Sequence, residues 1–501
     1  MLKRVFVAPD PGRVRLRFAS RAVLGISLAV ALCGLVGHSL TAAITGGLAA
    51  LLALFTVADP DVRAQGVTTA LLPVAGFPVL ALASALHDAP LLRDLAFLAV
   101  IGAGVFARRW GPRGNALGIF AFMMFFVAQF LHATPAQLPH LLGAVALALL
   151  VSSTVRFGLW CFERRYPAAA VPAPAGGRGL GRATTRQALQ ATAACGFALA
   201  VGQVLSQDRW YWAVGTAWWI FVNTASRGET LVRGFRRVLG TVLGVPAGLL
   251  IAVPLRGDLT STAVLVAACV FGIFYTAAVS YSWMIFAVTL MISLLYGLLG
   301  VLDPALLALR LVETGVGALG AALAVLAVLP VTTHATTHAW IQRALSCVHT
   351  CTAQAAARIA GTPGADPEPH IAELEALLGR VRLSLAPLVH PLNPLRARKA
   401  RARKVLDLLD DCAREVRSLA LVAADPDASH DVRLSAACWR VQSAVEILTT
   451  TRPGALPEAP AHTTRSPGTE PALTHLHDLE RALAELVSPL SHAPYAPAAN
   501  A

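Results

Sequence analysis

A chain of 501 residues with 56% hydrophobic side chains, only 14% charged ones and a mean hydropathy of +0.62 is too apolar for a soluble protein built of ordinary domains. Its formal charge of +13 is compatible with nucleic-acid binding, but arginine also gathers in the cytoplasmic loops of membrane proteins, facing anionic lipid. The membrane reading is preferred, the bilayer is the expected partner, and no nucleic-acid partner is expected.

From the N-terminus, Lys3, Arg4, Arg13, Arg15, Arg17 and Arg21 precede an apolar run that lacks a small-residue cleavage site. The pattern predicts a cytoplasmic lead-in to a first spanning helix rather than a cleaved signal. Apolar runs of membrane length, roughly 17–25 residues for a ~30 Å hydrocarbon layer, then follow one another. They fall near 21–37, 40–57, 66–86, 93–107, 115–131 and 139–161, and again near 186–205, 211–225, 236–254, 259–279, 282–300 and 306–329.

Loop charge supports the count. With the N-terminus inside, the inner loops carry Arg63; Arg108, Arg109 and Arg113; Arg156, Arg164, Arg165, Arg178, Arg182 and Arg186; and Arg227, Arg233, Arg236 and Arg237. In the outer loops Arg93, Arg209 and Arg256 each have an aspartate close by in sequence. This is the positive-inside asymmetry, and an odd number of spans in either half spoils it.

Residues 166–185, with a run of Ala and Pro and then Gly176-Gly177, form a linker between two halves of similar plan. The expected fold is all-α: a polytopic membrane bundle of two parallel six-helix-like repeats, 1–165 and 186–330. After Pro330, amphipathic periodicity over 334–361, 370–389, 395–423, 429–451 and 472–488 predicts a cytoplasmic helical domain over 331–490. Residues 491–501 read as a disordered tail, and both termini are expected in the cytoplasm.

Several motifs stand out against that frame. Gly240, Gly244 and Gly248, with Thr241 beside the first, lie on one helical face and predict a helix–helix packing surface. Arg236 and Arg237 at the inner mouth suit either topology anchoring or attraction of an anion. Arg310 and Glu313 stand three apart inside an apolar span, followed by Thr314, Gly315, Gly317 and Gly320. Ionisable residues at that depth face a cavity or a partner, and the two suit a mutually neutralising structural pair as well as a functional one. In the functional case Glu313 carries a proton and Arg310 meets an anionic substrate.

Trp210, Tyr211 and Trp212 beside Asp208-Arg209 read first as an outer interfacial belt, with an aromatic substrate platform second. Asn223 and Thr224, and Gln129 and His132 in the first half, are candidate polar contacts. The run Arg396, Arg398, Lys399, Arg401, Arg403, Lys404 suits a solvated helix face or acidic headgroups. The eight cysteines (33, 161, 195, 269, 347, 351, 412, 438) form no CxxC pair and read as core residues. The i,i+4 pairs His334/His338 and Cys347/Cys351 lack a third ligand nearby in sequence, so no metal site and no cofactor are expected. The only lysines are Lys3, Lys399 and Lys404, none after a glycine, which excludes a Walker A loop. GxSxG and HExxH are absent too, so an enzyme is not expected.

The aromatic helix with Tyr211-Trp212-Ala213, the string Arg237-Val238-Leu239-Gly240-Thr241 with Gly244, and the later Arg310, Glu313-Thr314 and Gly317 resemble the fusaric acid resistance (FUSC) family. That family includes the bacterial aromatic acid exporters and is distantly similar to plant malate channels. The resemblance is clearest over 186–330 and fainter over 15–165, where Arg63 to Thr68-Thr69 is the nearest counterpart of the string. It implies an exporter of small organic, often aromatic, carboxylic acids in the bacterial inner membrane, coupled to the proton gradient. Members often work with a periplasmic adaptor, and a homo-oligomer is compatible with the plan. On that basis Arg310, Glu313, Arg237, Asn223 and Trp212 are the candidate substrate and proton pathway. Two other classes compete: a passive organic-anion channel, and a membrane scaffold whose basic cytoplasmic domain recruits partners.

Overall fold

The structure is a computed structural model, described here over residues 13–59, 61–158, 179–222, 224, 226–255, 257–329, 333–359, 362, 364–389, 396–423, 432–449 and 470–491. The chain divides into two compact units which, among the described residues, hold twelve and five α-helices. The helices of the first unit are α1 (Val14–Leu35), α2 (Leu40–Thr56), α3 (Val62–Ala85), α4 (Pro90–Ala107), α5 (Gly111–Phe130) and α6 (Leu138–Gly158). Then come α7 (Ala183–Leu205), α8 (Tyr211–Phe221), α9 (Arg227–Leu255), α10 (Leu259–Thr276), α11 (Tyr281–Leu298) and α12 (Pro304–Ala327). No strand occurs among the described residues.

Local chemistry sets several starts. Ser39 accepts the Ala42 amide at 3.3 Å at the head of α2. Asp258 accepts the Ser261 amide at 2.8 Å at the head of α10, and that hydrogen bond holds its carboxyl below the ordinary aspartate value. Asp303 accepts the Ala305 amide before Pro304 at the first position of α12. Gly111, at φ 77, ends the turn from α4 into α5 in a conformation that a side chain rarely tolerates.

Nine stretches among the described residues are long and apolar enough to cross a membrane; one of them, Pro90–Phe130, holds both α4 and α5. The first unit is also apolar on its outside: Val204 is 87% exposed, Leu250 77% and Leu91 72%. Water would make such a surface costly, whereas lipid matches it. The chain is a multi-pass membrane protein.

Two helices depart from the expected spans. The run expected over 211–225 is helical only to Phe221, giving an 11-residue α8, while α9 starts at Arg227, ahead of the expected 236. Val222 is extended, and the carbonyls freed there are taken up by side chains. Arg108 donates to Phe221 O at 3.0 Å and Gln187 to Thr224 O at 2.9 Å. The end of α2 is held similarly. Arg156 of α6, 5% exposed, donates to Ala53 O at 2.8 Å, Leu54 O at 3.2 Å and Val57 O at 3.1 Å. Ala53 and Leu54 lie among the last four residues of α2, whose carbonyls have no partner within the helix. Arg156→Met should therefore strand acceptors worth roughly 1–3 kcal/mol each. The expected outcome is a clear fall in the melting temperature of the detergent-purified protein; an unchanged melt would show that the acceptors find other donors.

Within the first unit, α1 packs against α2, α6 and α10, α2 against α6, α3 against α5, and α4 against α5 and α7. In the second part of the unit, α7 packs against α8 and α12, α8 against α12, α9 against α11 and α12, and α10 against α11. A core of Phe97, Phe120, Phe122, Phe125, Trp218 and Phe221 fills the middle. Trp218 stacks on Phe122 at 3.9 Å between ring centres.

The second unit comprises α13 (Thr333–Ile359), α14 (Glu368–Val389), α15 (Arg396–Ala423), α16 (Val432–Thr449) and α17 (Glu470–Ser491). Leu345, Val381, Leu409, Val441, Leu476 and Leu479 close its core, as the amphipathic periodicity predicts. Cys347 and Cys351 are buried in that core, and the Cys347 thiol reaches His370 O at 3.3 Å. Within the basic run, Arg401 and Arg403 are exposed while Ala402 faces the core. The expected tail over 491–501 lies outside the described residues apart from Ser491, as does most of the expected linker over 166–185.

Candidate functional site

The site is assembled around the first half of α12. Glycines let this helix approach its neighbours. A Cβ on Gly317 would stand 2.7 Å from Thr216 Cβ and 2.9 Å from Ala217 N of α8, and one on Gly320 would stand 2.9 Å from Ala194 O of α7. One turn earlier on the same stripe is Glu313, with no exposed surface, and one turn before that is Arg310, 6% exposed. Thr314 donates its hydroxyl back to Arg310 O at 2.8 Å.

Arg310 and Glu313 are electrostatic neighbours, as their spacing allows, but no hydrogen bond joins them. Neither carboxylate oxygen of Glu313 has a hydrogen-bond partner, and Nε and Nη1 of Arg310 are buried without one. The guanidinium instead lies under an aromatic face, with its Cζ 4.0 Å from the centre of the Trp212 ring. The two groups share electrostatic surroundings with Tyr296 and Tyr211 but not a bond.

Trp212 belongs to a box of rings. Phe126 and Phe130 of α5 meet it edge-on at 5.4 and 5.9 Å, Tyr211 lies at 5.6 Å, and Phe130 stacks on Tyr296 of α11 at 6.4 Å. This corrects the belt reading of the aromatic group. Trp210 is 3% exposed and Tyr211 1%, so both point into the bundle, where phenylalanines of α4 and α5 offer more contact than lipid. Tyr296, Phe126 and Phe130 carry no sequence mark that separates them from ordinary core residues.

At the α8 start of the site, Arg209 donates to the Tyr211 hydroxyl at 3.2 Å. His132, in the α5–α6 connection, is held below the ordinary imidazole value by burial first and then by Arg209. Gln129 is buried nearby on α5.

Arg237 of α9 is 8% exposed and donates to the Tyr281 hydroxyl at 3.3 Å, while Arg233 lies over the same ring at 4.2 Å. Arg237 is also an electrostatic neighbour of Arg310. Asn223 lies outside the described residues; Thr224 beside it is buried and bonded as described above. The glycine ladder of α9 faces α11. A Cβ on Gly240 would stand 2.6 Å from Ser282 O, one on Gly244 2.7 Å from Thr289 Cβ, and one on Gly248 2.6 Å from Ser293 Cβ. Thr241 is turned inward and donates to Arg237 O at 3.1 Å. The arrangement thus brings Arg310, Glu313 and Trp212 together, sets Arg237 along the bundle from them, and gives the glycines to packing.

Chemically, the site is a buried carboxylate and a buried guanidinium, each with open hydrogen-bonding capacity, beneath a wall of rings. An isolated charge at membrane depth is costly, so such groups meet a proton, a counter-ion or a partner. Residues 197–324 match the family model for fusaric acid resistance protein-like sequences, the family that the residues themselves resemble. The match takes in the end of α7 from residue 197 and all of α8 to α11, and reaches into α12 past Gly320, so it contains Trp212, Arg237, the glycine ladder, Arg310 and Glu313. No curated protein and no solved structure matches the chain.

Proposed function

With a fusaric acid resistance-like segment at the centre of a multi-pass bundle, we propose that the protein is a secondary transporter that exports small organic acids, aromatic carboxylates first among them, in exchange for protons. The observation that carries this reading is the buried Arg310 under Trp212 with the buried Glu313 one turn on, each with unsatisfied polar atoms. A guanidinium with free donors suits a carboxylate, the surrounding rings suit an aromatic body, and a buried carboxylate that changes protonation suits coupling. Arg237 and Arg233 extend the cationic line towards the α9 start, which loop charge assigns to the cytoplasm. An anion enters there, binds Arg310 and leaves on the outer side, where Glu313 takes up the proton that it later releases to the cytoplasm. The setting is a bacterial inner membrane, with the helical unit over 333–491 in the cytoplasm; a periplasmic adaptor and self-association are compatible additions.

We further propose two six-helix repeats. Packing supports them: α1–α2 is answered by α7–α8, α1–α6 by α7–α12, α2–α6 by α8–α12, α3–α5 by α9–α11 and α4–α5 by α10–α11. Between the halves, α4–α7 is answered by α10–α1. The ends of α2 and α8 each accept from a guanidinium, that of Arg156 from the same half and that of Arg108 from the other.

The test is transport by proteoliposomes against a panel of aromatic and aliphatic carboxylates, with and without a pH gradient. Carboxylate movement that requires the gradient is expected. Equal movement without it would replace the exchanger by a channel, and no movement of any member would overturn the substrate class.

A further inference from the structure

A groove of about 510 Å³ runs between α1 and α10, lined by Ser20, Val23, Leu24 and Ser27 on one side and Ala267, Ala268 and Phe271 on the other. We propose that it is a binding site for one anionic phospholipid of the cytoplasmic leaflet. The proposal is independent of the transported substrate; it uses only the orientation given by loop charge.

The walls suit an acyl chain. Leu24 is exposed, Ala268 is exposed and small, and the few polar atoms are serine hydroxyls that can return to their own helix backbone. The end of the groove nearer the chain start suits an acidic headgroup. Arg17, Ser20, Leu24 and Ser27 follow a spacing of three, four and three, so they lie on one stripe of α1, and Arg21 stands one turn after Arg17. On the facing helix Tyr275 stands one turn past Phe271, their rings stacked at 5.5 Å, and Arg15 covers Tyr275 at 4.9 Å. Residues 1–21 hold Lys3, Arg4, Arg13, Arg15, Arg17 and Arg21 against a single acidic residue, Asp10. That surplus at the cytoplasmic level favours an anionic phosphate over a neutral headgroup.

The other junction between the halves is filled by protein. There a Cβ on Gly102 of α4 would meet the Thr192 hydroxyl of α7 at 2.9 Å, and Gln203 donates to Asp94 at 2.7 Å. At the matching junction α1 and α10 also pack directly, with Phe18 against Phe274 at 5.2 Å and Ala22, Ile26, Val270 and Ile273 in one buried cluster, and the groove lies outside that contact among exposed and half-buried residues.

The experiment uses the full-length protein purified in mild detergent. Native mass spectrometry should show a retained phospholipid of anionic class. Added phosphatidylglycerol should raise the melting temperature by several degrees, with phosphatidylcholine and soluble glycerol phosphate giving much less. Arg17→Gln/Arg21→Gln should abolish the selectivity, and Ala268→Trp, which fills the groove and keeps the arginines, should abolish retention. Equal responses to phosphatidylglycerol and phosphatidylcholine, an equal response to soluble glycerol phosphate, or retention that survives Ala268→Trp would overturn the site. A dimer that Ala268→Trp dissociates would assign the groove to a second copy and overturn it as well.

Discussion

Replacing Glu313 by glutamine is expected to remove the dependence of efflux on the proton gradient while the protein still inserts, folds and purifies normally. The change keeps the side chain's size in a position with no exposed surface, so packing against α8 survives. It also replaces the buried carboxylate of the ring-lined site by a neutral amide. Neither oxygen of the native carboxylate holds another residue in place, so no hydrogen bond is lost with the charge. Efflux from everted vesicles, followed with and without an imposed pH gradient, separates the outcomes. A variant whose efflux still responds to the gradient like the parent would take proton coupling away from Glu313. Arg310→Gln serves as the complement, since losing the guanidinium under Trp212 should weaken carboxylate transport at least tenfold. That fold-change is about 1.4 kcal/mol, modest for the loss of a charge-assisted hydrogen bond.

Gly244→Leu is expected to have the largest effect on folding. A Cβ there would already stand 2.7 Å from Thr289 Cβ, before the rest of the leucine is placed, and both backbones belong to long helices of the bundle. Overpacking of this kind costs about 1–3 kcal/mol, and more when backbone must move. Gly248→Leu should behave alike, because its Cβ would stand 2.6 Å from Ser293 Cβ. Gly315→Leu is the control: nothing lies within 4 Å of a Cβ at that position of α12. Monodisperse yield after gel filtration and the melting temperature report the difference. If Gly244→Leu and Gly315→Leu were equally stable, the α9–α11 contact would be looser than the distances require.

Most of the architecture is legible in the residues because lipid imposes simple rules. Length and apolarity mark the spans, and arginine marks most of the loops expected inside, so the predicted run at 40–57 meets α2 at 40–56 and the run at 93–107 falls inside α4. The misses share one cause. The run over 211–225 reads as a full span by composition, yet tertiary donors, Arg108 and Gln187, stabilise a break after Phe221 that no local signal announces. Trp210 and Tyr211 read as belt anchors because the sequence does not show that Phe97 and Phe126, about a hundred residues earlier, pack on them. Arg156 read as one more topology-setting arginine, and its second role depends on carbonyls about a hundred residues away. Within the site, spacing placed Arg310 and Glu313 on one face but could not show that no hydrogen bond joins them.

The shortness of α8 bears on how the protein is made. Eleven residues rise about 16 Å, roughly half the hydrocarbon layer, so the segment is not a stop signal that an insertion machine can accept alone. It must enter the bilayer beside a neighbour already in place, and α7, which precedes it in the chain and packs on it, is that neighbour. Synthesis of this region is therefore expected to seat α8 against α7 first, with the second helix that packs on it, α12, arriving only after α9 to α11 have been made.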